Sequence, residues 1–385
     1  MRVATSFRPE MPHARCRGVP SRAETIAAEA AAIGFSLAGS TPLAPLAVDD
    51  FVRRWLADGR AGEMRYLADR TAERLDPRIR LPWARGVIVL AYPYRPPPPP
   101  PDDWRTTLRG RIAAYALGVD YHDRLAALLR TLADRLTRAL PGARFHAYVD
   151  TGPVLEREWA ARAGIAWIGK NTLALDRIGG SYFFLAELFT DLELDPVPRP
   201  PDHCGTCTRC HTACPTDALG PGYEMDPRRC ISYLTIEHRT AIPVSLRPSL
   251  ANWIFGCDIC QEVCPWNRDA RDPTATEELT PFLPDLLQLD AEAFRARFAH
   301  TAISRAKRRG LLRNVAVALG NTKNRDAIPA LTTALEDPEP LVRSHAAWAL
   351  GEIGGKPARH ALDRAIRTER HDEVIPDVAA ARARA

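Results

Sequence analysis

The sequence predicts an α+β protein built from three consecutive folded parts. Segments with the patterns of strands and helices alternate up to about residue 195, eight of the nine cysteines lie between Cys204 and Cys264, and a pattern of short helices repeats near the C-terminus. We place the parts at residues 21–195, 196–275 and 276–385. Residues 1–20 are expected to be a disordered N-terminal extension.

Charge is distributed unevenly along the chain. The net charge is +5, and the segment from Thr301 to Ala385 holds 15 Lys and Arg against 10 Asp and Glu. An anionic partner is therefore expected at the C-terminal part. No stretch reaches the roughly 18 apolar residues of a membrane helix, and residues 1–20 show neither a secretory signal nor a twin-arginine pair. We expect a cytoplasmic monomer without membrane contact.

The first part begins with helices and a buried strand. Ser21 is a suitable N-cap for an alanine-rich helix that Gly34 ends, and Asp49 to Asp69 forms a second helical region. Gly86 to Tyr92 is a continuous apolar run of strand length, which is typical of a strand buried on both faces. The six prolines at 96–101 predict a stiff surface loop.

The rest of this part continues the alternation. A long amphipathic helix is predicted over Tyr121 to Leu140 and a shorter helix over Val154 to about Ala163. Strands are predicted over Ala143 to Val149 and Ser181 to Phe189. Such alternation gives this part an α/β or α+β class.

Asp150 follows the strand predicted to end at Val149. The Thr-Gly-Pro sequence after it makes Asp150 a good helix N-cap. In open α/β sheets, however, sites lie at the carboxyl ends of strands, and a carboxyl group there could donate a proton if an enclosed site raised its pKa. The residues alone leave both interpretations open.

Two cysteine runs predict iron–sulfur clusters. The run from Cys204 to Pro215 has the C-x2-C-x2-C-x3-C-P spacing of bacterial ferredoxins, in which the fourth cysteine binds the other cluster. The second run, from Cys257 to Pro265, lacks its first member, and Cys230 can replace it. We expect a ferredoxin-like domain with two four-iron four-sulfur clusters. The ligand sets are Cys204, Cys207, Cys210 and Cys264 for one cluster and Cys214, Cys230, Cys257 and Cys260 for the other.

Zinc ribbons and disulfides are the alternatives. Zinc sites usually pair two C-x2-C knuckles and need no third cysteine with a trailing proline. Cysteines crowded into one segment of a long chain are not typical of a disulfide framework. Cys16 lies outside both runs and is expected to be an incidental thiol.

The C-terminal part contains an internal repeat. Leu311 to Gly320 resembles Leu341 to Gly351, and both stretches end in Ala-Leu-Gly. Ala327 to Leu335 supplies a second helix between them. Paired short helices at this period predict all-α HEAT-like repeats, which present one face of side chains to a partner.

Five cations lie before and within the first repeat, with no acid among them. Their mutual repulsion favours an anionic ligand that carries phosphate, although a solvated helix end has the same composition. The candidate phosphate-binding residues are Arg305, Lys307, Arg308, Arg309 and Arg313.

Several of these stretches together resemble the epoxyqueuosine reductase family. In the first part the resemblance lies in VDTGPVL at 149–155, AGI at 163–165 and GKN at 169–171. In the second part it lies in RCISYLT at 229–235 and CDICQEVCPWN at 257–267, with the HEAT-like repeats behind them. The resemblance covers nearly everything from residue 21 onward.

The resemblance implies a cobalamin enzyme that performs the last step of queuosine biosynthesis on tRNA. Such an enzyme reduces the epoxide of epoxyqueuosine to the alkene, which takes two electrons and protons. A low-potential donor such as flavodoxin or ferredoxin would supply the electrons through the two clusters, and the tRNA would bind by its anticodon region. Asp150 matches the family's acid and becomes the candidate proton donor.

The resemblance also implies which residues of the N-terminal domain and its neighbour contact cobalamin. A histidine ligand below the cobalt is not expected, because the D-x-H-x-x-G signature begins at Asp120 but has Leu125 in place of glycine. The residues implied to contact the corrin or its tail are Arg74, Asp150, Arg157, Lys170, Asn171 and Ser232.

Two other functions fit parts of the sequence. A corrinoid iron–sulfur reductase of a small organic molecule, similar to the reductive dehalogenases, would share the cofactors but usually carries a twin-arginine signal and lacks a basic HEAT-like tail. A non-catalytic electron carrier would leave the large first part unexplained. The cobalt content of the protein, measured beside its iron content, separates the two corrinoid enzymes from the electron carrier.

Overall fold

A computed structural model describes residues 20–272 and 280–385. The extension expected to be disordered lies outside these residues except for its last one, and so does Cys16. The first part contains helices α1 to α7 and strands β1 to β7. Their bounds are α1 Arg22–Ala31, β1 Leu37–Pro42, α2 Asp49–Ala57, α3 Tyr66–Asp69, α4 Thr71–Leu75, β2 Gly86–Pro93, α5 Trp104–Thr107, β3 Arg111–Ile112, α6 Tyr121–Ala139, β4 Phe145–Tyr148, α7 Glu156–Arg162, β5 Trp167–Ile168, β6 Ala174–Leu175 and β7 Phe183–Thr190.

The first part is organised around a four-stranded sheet with the order β1-β2-β7-β4. All three neighbouring pairs are antiparallel, so of the two classes left open by the sequence the structure is α+β. The predicted buried strand is β2, where Val87 to Ala91 have no exposed surface. Helix α6 covers one face of the sheet and α7 covers the other. The strand is apolar throughout because both faces are covered, which occurs in this antiparallel sheet as it does in parallel ones.

Local sequence signals set the helix ends as expected. Ser21 caps α1 in a capping box with Glu24, since each side chain accepts a hydrogen bond from the other residue's backbone N–H. Helix α6 buries Leu125, Leu129, Leu132 and one further leucine a turn later, which is the apolar stripe that its period predicted.

The proline run is less exposed than a surface loop would be. Pro96 and Pro97 are buried. The Pro96 carbonyl accepts a hydrogen bond from the backbone of Asp272, and the Pro97 carbonyl accepts one from Arg271. The run therefore packs its first residues against the second part.

The second part is made of short elements that connect the cysteines. It contains α8 Arg209–Ala213, β8 Leu219–Gly220, β9 Glu224–Met225, α9 Ile231–Ile236, β10 Trp253–Phe255 and α10 Ile259–Glu262. Strand β10 pairs in parallel with β3 of the first part. This pairing holds the two parts together beside the cysteines.

The C-terminal part is a solenoid of short helices. Its bounds are α11 Leu283–Leu287, α12 Ala291–Phe298, α13 Lys307–Thr322, α14 Ile328–Ala334, α15 Pro340–Ile353, α16 Lys356–Thr368 and α17 Val374–Arg384. The predicted repeat is confirmed: its two matching stretches lie in α13 and α15, and the helix between them is α14. No described helix is long and apolar enough to cross a membrane.

Close helix packing explains the repeated Ala-Leu-Gly endings. A Cβ atom on Gly320 would lie 2.8 Å from the Cα atom of Ala349 on the next repeat. A Cβ atom on Gly351 would lie 2.9 Å from the Cα atom of Ala381. Glycine is needed at both positions because α13, α15 and α17 approach each other so closely.

Candidate functional site

The main cavity lies where the sheet, the cysteine segment and the loop after β4 meet. It has a volume of about 370 Å³. Its wall combines the aromatic residues Tyr94, Tyr115, Tyr121, Phe183 and Phe184 with polar groups on one side. The polar residues include Asp150, Glu156, Arg157, Asn171, Ser232 and Gln261.

The cysteines separate into two groups that match the predicted ligand sets. One group, called the inner set, lines the main cavity and consists of Cys214, Cys230, Cys257 and Cys260. The other group, called the outer set, lines a smaller cavity closer to the surface and consists of Cys204, Cys207, Cys210 and Cys264. None of the described cysteines forms a disulfide, so all eight thiols are available as ligands.

The environment of the thiols suits iron–sulfur clusters. Burial raises the pKa of the Cys257 and Cys260 thiols, and their neighbour Cys230 adds to the shift. A thiolate is therefore stable at these positions only beside positive charge, and cluster iron supplies such charge. Four thiols around one cavity are the donor set that a cubane cluster requires.

Asp150 lies near the start of the loop that connects β4 to α7. Its backbone is in the left-handed region at φ 48°, and its carboxylate, 48% exposed, opens into the cavity. The N-cap interpretation is wrong for this residue, because α7 begins at Glu156 and its N-cap is Leu155. The backbone N–H of Asp150 instead donates to Glu156 Oε1 at 2.9 Å.

A hydrogen-bonded group holds the Asp150 carboxylate. The Tyr121 hydroxyl donates to Asp150 Oδ2 at 2.6 Å, and His122 Nε2 lies 3.2 Å from the same oxygen. The other ring nitrogen of His122 lies 2.7 Å from Asp120 Oδ1. With a carboxylate at each nitrogen, the imidazole is stabilised as the doubly protonated cation.

These contacts correct the expectation of a raised pKa at Asp150. Burial raises that pKa, but the hydrogen bonds from His122 and Tyr121 outweigh the burial and place it below its usual value. For His122, burial lowers the pKa, while its bonds to Asp150 and Asp120 raise it to a net value above the usual one. The proton of this pair therefore resides on His122.

The residues expected to contact the corrin do not all lie at the main cavity. Arg157, Asn171 and Ser232 line it together with Asp150. Lys170 lies at the smaller cavity, where its ammonium group donates to the carbonyls of Gly205 at 2.6 Å and Cys207 at 3.1 Å. Lys170 thus supports the loop of the outer cysteine group.

Arg74 is also placed differently from the expectation. Only 6% of the residue is exposed, and it does not line the cavity. Its guanidinium donates to the Tyr66 carbonyl at 3.0 Å and to the Gly152 carbonyl at 3.4 Å. Arg74 therefore anchors the Asp150 loop from behind.

The five candidate phosphate-binding cations differ in their surroundings. Arg313 has no exposed surface and donates to the backbone carbonyls of Leu234, His238 and Thr240. The expectation that Arg313 contacts a phosphate is therefore wrong, because packing against the cysteine segment encloses it. Of the five, only Lys307 and Arg309 are exposed.

The other two cations have acidic partners that are distant in sequence. Arg305 pairs with Glu237 and lies with its guanidinium carbon 5.7 Å from the centre of the Tyr66 ring. Arg308 pairs with Asp337, and its side chain is 16% exposed. The repulsion inferred from the local sequence is thus relieved within the fold.

Sequence reasoning missed three residues at the site. His122 was considered only as part of an incomplete cobalt-ligand signature, and its spacing from Asp150 gave no signal. Glu156 was not among the residues that the sequence patterns singled out. Glu187 did leave a signal, because it is the one charged residue in the apolar strand segment SYFFLAELF at 181–189.

The fold and site define a double-cluster iron–sulfur oxidoreductase with a HEAT-repeat tail. Residues 203–267 match the family described as "4Fe-4S double cluster binding domain", and residues 299–382 match "HEAT repeats". Residues 74–151 match "Epoxyqueuosine reductase QueG, DUF1730". The chain belongs to the epoxyqueuosine reductase family.

Curated relatives support this assignment over most of the chain. The epoxyqueuosine reductase of Xanthomonas campestris is 40% identical over 345 residues, which cover 87% of this chain and 96% of the relative. The epoxyqueuosine reductase of Escherichia coli is 38% identical over 332 residues, covering 83% of this chain and 86% of the relative.

Solved structures agree with the sequence relatives. An epoxyqueuosine reductase bound to an epoxyqueuosine-modified tRNA-Tyr stem loop superposes with a TM-score of 0.87 at 31% identity, covering 94% of this chain and 98% of that chain. The Bacillus subtilis enzyme, with its catalytic aspartate loop swung out of the active site, superposes with a TM-score of 0.84 at 30% identity over 94% and 98% of the two chains.

Proposed function

We propose that this chain reduces the epoxide of epoxyqueuosine in tRNA to the alkene of queuosine, using cobalamin and electrons relayed through two four-iron four-sulfur clusters. One observation carries the proposal: eight cysteines form two sets of four, and the inner set lines the same cavity as Asp150. Its membership of the epoxyqueuosine reductase family supports the substrate. In the overall reaction both C–O bonds of the epoxide break, a C=C bond forms, and two electrons and two protons convert the oxygen to water.

The two cysteine sets suggest a direction for electron flow. The outer set lies beside exposed backbone at Gly205, Thr206 and Thr208, while Cys257 lies deep at the main cavity. Electrons from a low-potential flavodoxin or ferredoxin would enter at the outer cluster and leave at the inner one. The outer cluster would be ligated by Cys204, Cys207, Cys210 and Cys264, and the inner one by Cys214, Cys230, Cys257 and Cys260.

The lining of the main cavity would suit a large planar cofactor. Its aromatic wall offers apolar contact, and Arg157, Asn171 and Ser232 offer polar groups toward the amide and phosphate groups of cobalamin. No histidine is among the described residues that line it, which suits a cofactor without a protein imidazole ligand. When bound there, cobalamin supplies electron transfer to carbon.

Asp150 is suited to deliver a proton to the departing oxygen. Its carboxylate opens into the cavity, and His122, whose protonated form is favoured, lies behind it with Nε2 3.2 Å from Asp150 Oδ2. Transfer from His122 to Asp150 and on to the oxygen would let a low-pKa carboxylate act as the donor. Arg74 and Glu156 hold the loop of Asp150 in place through Gly152 and the Asp150 backbone.

The tRNA is proposed to approach along the start of the solenoid. Lys307 and Arg309 are exposed at the N-terminus of α13. Arg305, just before them, lies near the active site, because its charge acts on both Tyr66 and Asp150. A phosphate backbone held by these cations would place a neighbouring nucleoside at the cavity mouth.

Anaerobic turnover tests the proposed function directly. The protein would be incubated with epoxyqueuosine-bearing tRNA, a low-potential reductant and cobalamin, and the digested nucleosides would be analysed by mass spectrometry. Loss of one oxygen that requires cobalamin is the expected result. If the clusters are filled and cobalamin is bound but no oxygen is lost, a small-molecule corrinoid reductase becomes the better assignment.

A further inference from the structure

Glu187 is a buried acid that lies outside the residues lining the main cavity. It lies in the middle of β7 with no exposed surface, and neither carboxylate oxygen has a hydrogen-bond partner among the described residues. A carboxyl group buried without a partner is destabilising when ionised. Groups with strongly shifted pKa values cluster at functional sites.

The position of Glu187 in the sheet places it next to the active-site loop. Side chains of β7 alternate, and its odd-numbered residues Phe183, Leu185 and Phe189 pack on the α7 side of the sheet. Leu185 lines the main cavity. Glu187 is therefore the residue that follows Leu185 on the same face of β7, next to the cavity wall.

The strand neighbours of Glu187 lead to the same loop. In register, Glu187 lies opposite Tyr148 of β4 and Val89 of β2. Gly152 packs so closely on the Tyr148 ring that a Cβ atom there would lie 2.3 Å from Tyr148 Cδ1. The loop from Asp150 to Gly152 thus covers the face from which Glu187 projects.

Glu156 lies beside Asp150, and its charge acts on Glu187. It is the first residue of α7, it lines the cavity, and its Oε1 accepts the Asp150 backbone N–H. The charged groups acting on Glu156 are Asp150, Arg157 and His122, and those acting on Glu187 are Glu156 and Asp150. The residues of β2 and β4 opposite Glu187 are uncharged.

The surroundings of both glutamates favour their protonated forms. Burial, followed by the charge of Asp150, raises the pKa of Glu156 to about 8. Burial, followed by the charges of Glu156 and Asp150, raises the pKa of Glu187 well above its usual value. These shifts favour two bound protons beyond the one shared by Asp150 and His122.

We propose that Glu156, in the cavity wall, and Glu187, buried behind it in β7, form a proton store that supplies the second proton of the reduction. The inference rests on the proposed function, in which the epoxide oxygen must gain two protons to leave as water while the electron donor supplies two electrons. The first proton comes from the Asp150–His122 pair and the second from Glu156. Glu187 then reprotonates Glu156, and solvent refills the store when the product leaves.

Infrared difference spectroscopy tests the store without substrate. Spectra of the anaerobic holoprotein at pH 7 would be compared with those of Glu156→Gln and Glu187→Gln, both of which keep the side-chain shape. Each variant is expected to lose a protonated carboxylic-acid band. Spectra in which only carboxylate bands are lost would overturn the proposal.

Turnover as a function of pH tests the use of the store. Wild-type kcat is expected to fall as the pH rises through about 8, because Glu156 then loses its proton. Glu156→Gln should lower kcat at pH 7 by at least about tenfold and flatten that fall, and Glu187→Gln should act in the same direction. Wild-type kcat and pH profiles in both variants would overturn the proposal.

A matched control lies on the same helix. Glu158 is buried in α7 but pairs with Arg162 and Arg199. Glu158→Gln should leave the pH profile of kcat unchanged. A wild-type enzyme that does not reduce the tRNA would refute the proposed function, whereas ionised Glu156 and Glu187 at pH 7 would refute the store, so the two failures are distinguishable.

Discussion

At the scale of single residues, the site depends on how neighbours share protons. Asp150 accepts hydrogen bonds from Tyr121 and His122, which keep it ionised while His122 keeps the proton. The same carboxylate raises the pKa of Glu156 through its charge. Asp150, whose ionised form is favoured, thus lies beside Glu156, whose protonated form is favoured.

Replacing Asp150 with Asn tests its role as proton donor. The amide keeps the shape but cannot carry the proton, so turnover should fall by about 10²–10⁴-fold. Iron content and cobalamin binding should remain those of the wild type. Near-normal turnover by mass spectrometry of the nucleosides would show that another group delivers the proton.

Replacing Gly152 with Ala tests whether the loop must pack on Tyr148. The added Cβ atom would lie 2.3 Å from Tyr148 Cδ1, in the ring itself, so the loop must shift and move Asp150. We expect lower kcat together with a lower melting temperature. Gly179→Ala is the control, because its Cβ atom would meet only Asp176 Oδ2, at 3.7 Å. Equal effects of the two substitutions would contradict the packing argument.

At the scale of elements, α13 belongs as much to the cysteine segment as to the solenoid. Asn314 donates to the carbonyls of Thr235 and Ile254, each at 2.8 Å. These carbonyls belong to α9, which directly follows Cys230, and to β10, which directly precedes the loop with Cys257. The first repeat helix therefore supports two segments that carry ligands of the inner cysteine set.

Replacing Asn314 with Leu should weaken the inner cluster. Two buried carbonyls would lose their donors, at about 1–3 kcal/mol each, and the segments around Cys230 and Cys257 would loosen. We expect a lower melting temperature and a changed electron paramagnetic resonance signal of the inner cluster.

Asn321→Leu provides the matched control for that substitution. Asn321 lies on the same helix and donates to the carbonyls of Arg247 and Ala251, each at 2.8 Å. It should lower the melting temperature but leave the spectrum of the inner cluster unchanged. Identical cluster spectra in wild type and the Asn314 variant would refute the supporting role of Asn314.

Elements were predictable where local sequence decides them, and less so where distant contacts do. The apolar run in β2, the stripe of α6 and the repeated glycines of α13 and α15 each specify their element. The antiparallel order of the sheet is set by pairing between strands far apart in sequence, which no local pattern encodes. Arg313 looked like part of a surface patch because the carbonyls that enclose it come from α9 and the loop after it.

At the scale of the whole molecule, all three parts meet at one site. The sheet part contributes Asp150 and Glu156, the second part contributes the inner cysteines, and the start of the solenoid brings Arg305 near Tyr66. The chain carries a net charge of +5, which favours association with a polyanion. Because Arg305 and Arg308 are paired with acids and Arg313 is buried, the exposed charge at this edge comes mainly from Lys307 and Arg309.

Removing Lys307 and Arg309 together should weaken tRNA binding without affecting the fold. Each phosphate contact contributes roughly 0.7–0.9 to the slope of log K against log salt, so the double Ala variant should bind more weakly at low salt and show a slope reduced by up to about 2. Binding would be measured at several salt concentrations with epoxyqueuosine-bearing tRNA. Lys356→Ala with Arg364→Ala is the control, because it removes the same charge from exposed positions on α16. Arg313→Ala should behave oppositely to the double variant, with a lowered melting temperature and an unchanged salt slope in the protein that remains folded, because its partners are backbone carbonyls and the side-chain oxygen of Asn314. Equal weakening by the α16 control would mean that only net charge attracts the tRNA, and an unchanged slope in the Lys307 and Arg309 variant would remove this edge from the RNA interface.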